Sequence, residues 1–410
     1  MFRKLTAMVG GYPFQQRDLR LLFTAGFLSF LGASIAFPLR MLYAQQHGAS
    51  PAQLGLTASV FLLAPLVAQV PMGWLVDHWG RVPVYLVGLL THPIISFLYI
   101  PFSSPTDIIV LRFIEGLSVS AFQPAESAYI ADVTPENHRA EAYGAMGATL
   151  NAGLLIGPVF GGVLGQYFGF VQAFLISVGV ELLAIPLVVG RIREPVVHEI
   201  HHDQAPVKLR ALFSIPLTGA YLAFFSAQAV IGILTALWAI WVHDLGGSYT
   251  YIGLTFSVFA LPQILLGASA GRWGERWGRA RVMLISGTLA AIIYVAYGFM
   301  TNLIAIALLG VVEGIVIVFL TPVAQGFLAD ASPQRARGRV QGIAGAVSAL
   351  GGSSAAFISL PLYHDARPIP FVLAGVIILI GSILAAAAAV VFQRRRRAEA
   401  VETYAEHQPG

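Results

Sequence analysis

Along this chain the apolar residues neither alternate nor keep to one helical stripe. They run almost unbroken for twenty or more positions, stop at short polar clusters and start again. A membrane-crossing helix needs roughly 20 mostly apolar residues. Twelve runs meet that length, with limits near 21–43, 53–75, 82–102, 106–130, 140–164, 170–190, 216–242, 250–271, 280–300, 303–328, 339–363 and 369–393. Open strands would leave backbone groups unsatisfied in lipid, and the runs are too long and too uniformly apolar for a barrel. The pattern predicts an all-α polytopic membrane protein with twelve transmembrane helices. The first run, starting near Leu21, is span-length and lacks a small-residue cleavage site, so it reads as the first span and not as a signal peptide.

The polar punctuation repeats. Gly73-x3-Asp77-x2-Gly80-Arg81 returns as Gly271-x3-Glu275-x2-Gly278-Arg279, a shift of 275 − 77 = 198. At that shift Thr57-x-Ser59-Val60-Phe61 meets Thr255-x-Ser257-Val258-Phe259, Glu115-Gly116 meets Glu313-Gly314, and Pro124 meets Pro322. Ala131-Asp132-x2-Pro135-x3-Arg139 likewise meets Ala329-Asp330-x2-Pro333-x3-Arg337. An even number of spans per copy makes the copies enter the membrane in the same direction, as parallel repeats about an axis along the membrane normal. The expected organisation is a six-helix bundle over 1–190, a cytoplasmic linker over 191–210, and a second six-helix bundle with a short tail over 211–410.

Composition agrees with lipid as the solvent: 57% of residues are hydrophobic, 11% are charged and the mean hydropathy is +0.75. A soluble domain carries about 25% charged residues. The absence of cysteine excludes disulfides, thiolate metal sites and cysteine nucleophiles. With the N-terminus placed inside, 21 of the 24 Lys and Arg fall on inner loops and tails; Arg367 falls outside, and Arg40 and Arg112 lie within spans. This asymmetry predicts both termini in the cytoplasm of a cell inner (plasma) membrane. It also accounts for the net charge of +4 without nucleic acid. His198, His201 and His202 read as part of a flexible linker, with a metal site as the alternative. No P-loop, HExxH or GxSxG motif points to an enzyme, and no cofactor or metal is expected. The expected partners are the bilayer and a small-molecule substrate, with the chain working as a monomer.

The Gly73 to Arg81 loop resembles the signature loop of the major facilitator superfamily, and the twelve spans and degenerate second copy extend that resemblance over nearly the whole chain. The resemblance implies a secondary transporter working by alternating access. It also implies that Gly73, Asp77, Gly80 and Arg81 form a conformational latch against the start of span eleven near Arg337 to Arg339, a carboxylate being favourable at a helix N-terminus. Span five reads Gly144-x8-Gly153-x3-Gly157-Pro158-x2-Gly161-Gly162, similar to the glycine-rich motif of the twelve-span drug:proton antiporter branch. Such spacing suits close helix packing, and the proline permits a bend. Leu31-Gly32-x5-Pro38 and Arg112-x3-Gly116 resemble the branch's span-one and span-four motifs, with Met41 and Glu115 as departures.

Ionisable side chains in lipid are costly and by default functional. Glu115 and Glu126 are eleven residues apart, within about 20° of one helical face, with Arg112 and Phe122 nearby. The resemblance places this face on the substrate path. Arg40 is positioned to approach Glu115, and Glu313 holds the equivalent place in span ten. The candidates for proton coupling are therefore Glu115, then Glu313 or Glu126; a fixed Arg40–Glu115–Arg112 structural pair is the alternative. Glu126 is expected near the cytoplasmic end in a solvated or loop-pairing role, His92 and Glu181 in local hydrogen bonds, and Trp238 and Trp241 in an interfacial belt. Phe37 and Gln263 are further cavity candidates. The expected function is proton-coupled efflux of small hydrophobic or amphipathic compounds. The alternative is an uptake, sugar-exporting or lipid-exporting carrier of the same fold.

Overall fold

The computed structural model describes residues 12–195, 212–333 and 336–406; side chains at 137, 140, 268–275, 337 and 395–406 are not described. The linker histidines His198, His201 and His202 lie outside the described residues, as do the side chains of Glu275 and Arg337. The described residues are helical throughout, without strands, and hold twelve helices long and apolar enough to cross a membrane.

After a short helix at Tyr12–Gln15, span one comprises Arg17–Ala36 and Leu39–Gln46. Spans two to six are Pro51–Trp79, Arg81–Leu98, Pro105–Val133, Glu136–Tyr167, and Phe170–Leu182 with Ile185–Val188. Spans seven to twelve are Ile215–Asp244, Tyr249–Trp277, Arg279–Phe299, Leu303–Ala331, Arg337–Asp365 and Ile369–Glu406. The repeat seen in single residues governs whole elements: helix starts at Arg17, Pro51, Arg81 and Pro105 recur at Ile215, Tyr249, Arg279 and Leu303, each 198 residues later. A single residue joins spans two and three, and spans eight and nine; the turn needs positive φ, and Gly80 (φ 98°) and Gly278 (φ 86°) supply it. Ser50, Ser104, Ser248 and Asn302 cap the spans that follow them.

Helix contacts repeat in the same way. Spans one and five, one and six, two and four, three and four, and three and six pack together, and each pair recurs six spans later. Between the halves, span two packs on span eleven and span five on span eight. In lipid such contacts rest on small residues that let backbones approach. A Cβ at Gly162 would strike the Tyr249 carbonyl oxygen, one at Gly253 the Pro158 carbonyl oxygen, and one at Gly55 the Phe357 carbonyl oxygen.

All three contacts lie toward one face of the membrane. At the other, where Arg17, Arg20, Arg81, Arg139, Arg279, Arg281 and Arg339 gather (the basic face), the same four helices part: Gly73, Gly144, Gly147, Gly267, Gly338 and Gly342 have nothing within 4 Å of an added Cβ. The molecule is closed at one end of its central seam and open at the basic end.

Candidate functional site

Span one breaks because Pro38 cannot donate a backbone hydrogen bond and its ring crowds the preceding turn. The helix stops at Ala36 and resumes at Leu39. Arg40, just past the break, donates to the Ala33 carbonyl (3.3 Å). Its other nitrogen lies 3.0 Å from Glu115 Oε1. Arg112, one turn before Glu115 in span four, donates to Oε2 at 2.9 Å, and its guanidinium stacks 3.9 Å from the Phe61 ring centroid. The expected Arg40–Glu115–Arg112 grouping is therefore formed.

Two residues read as separate join it. His92 Nε2 is 3.5 Å from Glu115 and Nδ1 2.8 Å from Glu181, while Tyr99 donates to Glu115 at 2.7 Å. The Ser177 hydroxyl donates to the Gly32 carbonyl (2.6 Å) and lies 3.2 Å from Glu181 Oε1. A Cβ at Gly32 would fall 2.5 Å from Glu181 Cγ, which explains the glycine of the span-one motif. Arg40, His92, Arg112, Glu115 and Glu181 are all buried, 4% exposed or less. The local hydrogen bonding expected of His92 and Glu181 is present, but it belongs to this one network.

In the second half Glu313 is also buried and accepts from Tyr297 at 2.9 Å. Tyr99 and Tyr297 are 297 − 99 = 198 apart, so the tyrosine–glutamate bond is duplicated. The sequence carried that signal, since each tyrosine precedes its glutamate by sixteen residues. The basic partners are not duplicated: Arg40, His92 and Arg112 correspond to Trp238, Ala290 and Gly310.

Other placements differ from expectation. Glu126 does not have the solvated role expected of it: it is buried, 3.3 Å from the position of a Cβ on Gly26, faces the Tyr85 hydroxyl and has no ion pair among the described residues. Phe122 packs within the first half: its ring fills the space over Gly88 and meets Tyr85 edge-on. Trp238 and Trp241 form no interfacial belt, because they are 7% and 1% exposed in a cluster with Tyr297 and Phe371. Phe37 meets Phe256 across the closed end of the seam, and Gln263 bonds its own helix at Phe259.

The span-five glycines divide. Gly153 faces Phe30 and Leu31, Gly157 would place a Cβ 2.5 Å from Ser34 Cβ, Gly161 would collide with the Ile35 carbonyl oxygen, and Gly162 and Pro158 face span eight. The packing reading fits these positions; Gly144, at the open end, touches nothing. In the loop after span two, Asp77 is 72% exposed, with no partner on span eleven among the described residues. The side chain of Arg337, on the expected far side of the latch, lies outside the described residues. Arg81 lies 4.0 Å from Asp77 and pairs more closely with Asp132 (2.7 Å); Arg279 pairs with Asp330 (2.5 Å), the same ion pair in the second copy.

The seam's cavity, about 390 Å³, is lined by Gln69, Gln123, Gln228, Thr321, Gln325 and Gln341 together with apolar residues of spans seven, ten and eleven. Gln123 and Thr321 are 198 apart, and each immediately precedes the proline of its span, Pro124 or Pro322.

The sequence matches the Major Facilitator Superfamily over residues 22–239 and again over 220–408. The chain belongs to that superfamily. It is 26% identical over 280 residues to multidrug resistance protein 1 of Bacillus subtilis strain 168, covering 66% of this chain and 71% of that protein. It is 29% identical to the quinolone resistance protein NorA of Staphylococcus aureus strain MRSA252 over 140 residues, 34% of this chain and only 36% of that one. A crystal structure of a bacterial homologue of the human lysosomal transporter Spinster, inward-facing and unoccupied, superposes with a TM-score of 0.74 at 16% identity, over 94% of this chain and 99% of that one. At that identity the likeness concerns the fold.

Proposed function

We propose that this major facilitator exports small amphipathic compounds in exchange for protons, working as a monomer whose halves, 1–190 and 211–410, rock about the central seam. The basic face is then cytoplasmic and the membrane the cell's inner (plasma) membrane, as the arginine distribution favours. Open at that face, the molecule is in its inward-facing state. The span-five glycines and the relatives named for multidrug and quinolone resistance support export.

The observation that carries the coupling is the contrast among buried carboxylates. Glu115 is held by two guanidiniums, whereas Glu313 and Glu126 have no cation beside them among the described residues. A buried charge without a counter-charge is expensive, so these two positions are suited to take up and give back a proton as the cavity dries and rewets. Glu115 is assigned to the fixed network. Asp77 re-engages the start of span eleven when the cytoplasmic ends close.

The test is exchange in proteoliposomes with an imposed pH gradient, using a panel of lipophilic cations, neutral drugs, sugars and lipids. Proton efflux coupled to substrate entry is expected, and Glu313→Gln should uncouple it while substrate binding persists. Full proton-driven exchange in both Glu313→Gln and Glu126→Gln would remove the assignment, and a protein moving its substrate with no proton counterflow would remove antiport itself.

A further inference from the structure

The chemistry of the seam cavity restricts what it carries. Among its described lining residues none is charged; its polar surface is made of five glutamines, from spans two, four, seven, ten and eleven, with Thr321. None of these five carboxamides makes a hydrogen bond among the described residues, and four of them are solvent-exposed. Each carries two N–H donors and a carbonyl acceptor. The site thus offers many unused donors and acceptors with apolar walls between them, in a volume of about 390 Å³, within the range of ligand cavities, about 300–1,000 Å³. Both halves contribute, and the repeat-related Gln123 and Thr321 face the same space from opposite sides.

Alternating access requires the cavity to close around its cargo. A cation enclosed there would lose water and meet no carboxylate, because Glu115, Glu126 and Glu313 lie within the helical bundles and not on the cavity wall. An uncharged molecule with hydroxyl, amide or carbonyl groups would exchange water for glutamine. We propose that the cargo of this site is an uncharged amphipathic compound recognised by the glutamine carboxamides, and that lipophilic cations are discriminated against. This rests on the exporter reading for the transport cycle, though not for binding. It has an electrical consequence: exchange of a neutral molecule for a proton moves net charge, whereas one-for-one exchange of a monovalent cation does not.

Binding is measured in nanodiscs by equilibrium dialysis without any gradient, using chloramphenicol and thiamphenicol as uncharged probes and tetraphenylphosphonium and ethidium as cations. The expected ranking is uncharged above cationic in the wild type. Each of Gln123→Leu and Gln325→Leu should weaken chloramphenicol about three- to tenfold, the value of one net hydrogen bond. Gln123→Glu should raise tetraphenylphosphonium binding and lower chloramphenicol binding. Tighter binding of either cation by the wild type, failure of both uncharged probes, or unchanged binding in both leucine variants overturns the proposal. The wild-type ranking needs no variant to fold. In proteoliposomes, chloramphenicol exchange should accelerate with an inside-positive or inside-negative potential according to proton direction. Neutral binding without proton counterflow would sink antiport and leave the cargo class standing; proton exchange confined to the cations would do the reverse.

Discussion

Glu115 and Glu313 occupy the same place in two copies of one architecture, and each accepts a hydroxyl hydrogen bond from a tyrosine sixteen residues earlier. Around the first gather Arg40, Arg112 and, through His92, Glu181. Around the second are Trp238, packed on Tyr297 and bonded through its indole N–H to Thr255 (2.8 Å), and the residue Gly310 where the first copy has Arg112. The duplicated frame therefore retained a carboxylate and its tyrosine while the surrounding charge diverged. One copy became a closed electrostatic network; the other stayed an isolated acid in an aromatic setting. A single fold position thus sits in a charged network in one half and without a counter-charge among the described residues in the other.

The sharpest way to break that comparison is to remove one cation from the network. Arg112→Leu leaves Glu115 buried with part of its compensation gone, and breaking such pairs costs about 3–5 kcal/mol. The variant should melt at a markedly lower temperature in detergent, or fail to yield monodisperse protein. Glu313→Gln, which keeps the hydrogen bond from Tyr297 and has no cation to strand, should stay within about 1 kcal/mol of wild type. Equal losses at the two sites would show that the halves do not differ as described.

Next in size is the seam, where the ends of one helix differ. Gly161→Val forces side-chain atoms into the Ile35 carbonyl, an overpacking that costs about 1–3 kcal/mol. Gly144→Val meets open space while the seam is open at the basic face and should leave the melting temperature unchanged. If closure brings the basic ends together, the same Gly144→Val variant should slow transport without destabilising the protein. A stable Gly161→Val protein would mean that spans one and five can separate without loss.

Much of this comparison could be read from residue order. The twelve spans, the offset of 198 and the approach of Arg40 to Glu115 follow from hydropathy, repetition and helical periodicity, all of which are local. What required coordinates is the rotation of each helix about its axis. Glu126 and Phe122 share a face with Glu115, yet that face turns toward Gly26, Gly88 and Tyr85 within the first half. The residue of span four that reaches the cavity is Gln123, one position round the helix from Phe122. Periodicity groups residues onto a face without naming its neighbour. Trp238 and Trp241 show the same gap: a position near a helix end suits a belt, but packing by Tyr297 and Phe371 buries them.

The smallest effect concerns a contact present on one side only. The Glu194 carboxylate, just beyond span six, accepts from the backbone N–H groups of Arg81 (2.6 Å) and Val82 (2.8 Å) at the start of span three. The same segment is held where Tyr129 donates to the Arg193 carbonyl (3.2 Å). A Cβ at Gly80 would fall 2.6 Å from Glu194 Oε1, so this glycine is required both for its backbone angle and for the space the carboxylate fills. At the second copy Gly278 has nothing within 4 Å of an added Cβ. A charged group at a helix N-terminus contributes about 0.3–1 kcal/mol. Glu194→Ala should therefore lower stability by about that amount and speed hydrogen exchange at Arg81 and Val82, leaving their counterparts Arg279 and Ala280 unaffected. Exchange that rises equally at both copies would mean that the two turns are held by something they share, and that the asymmetry of the halves does not extend to their loops.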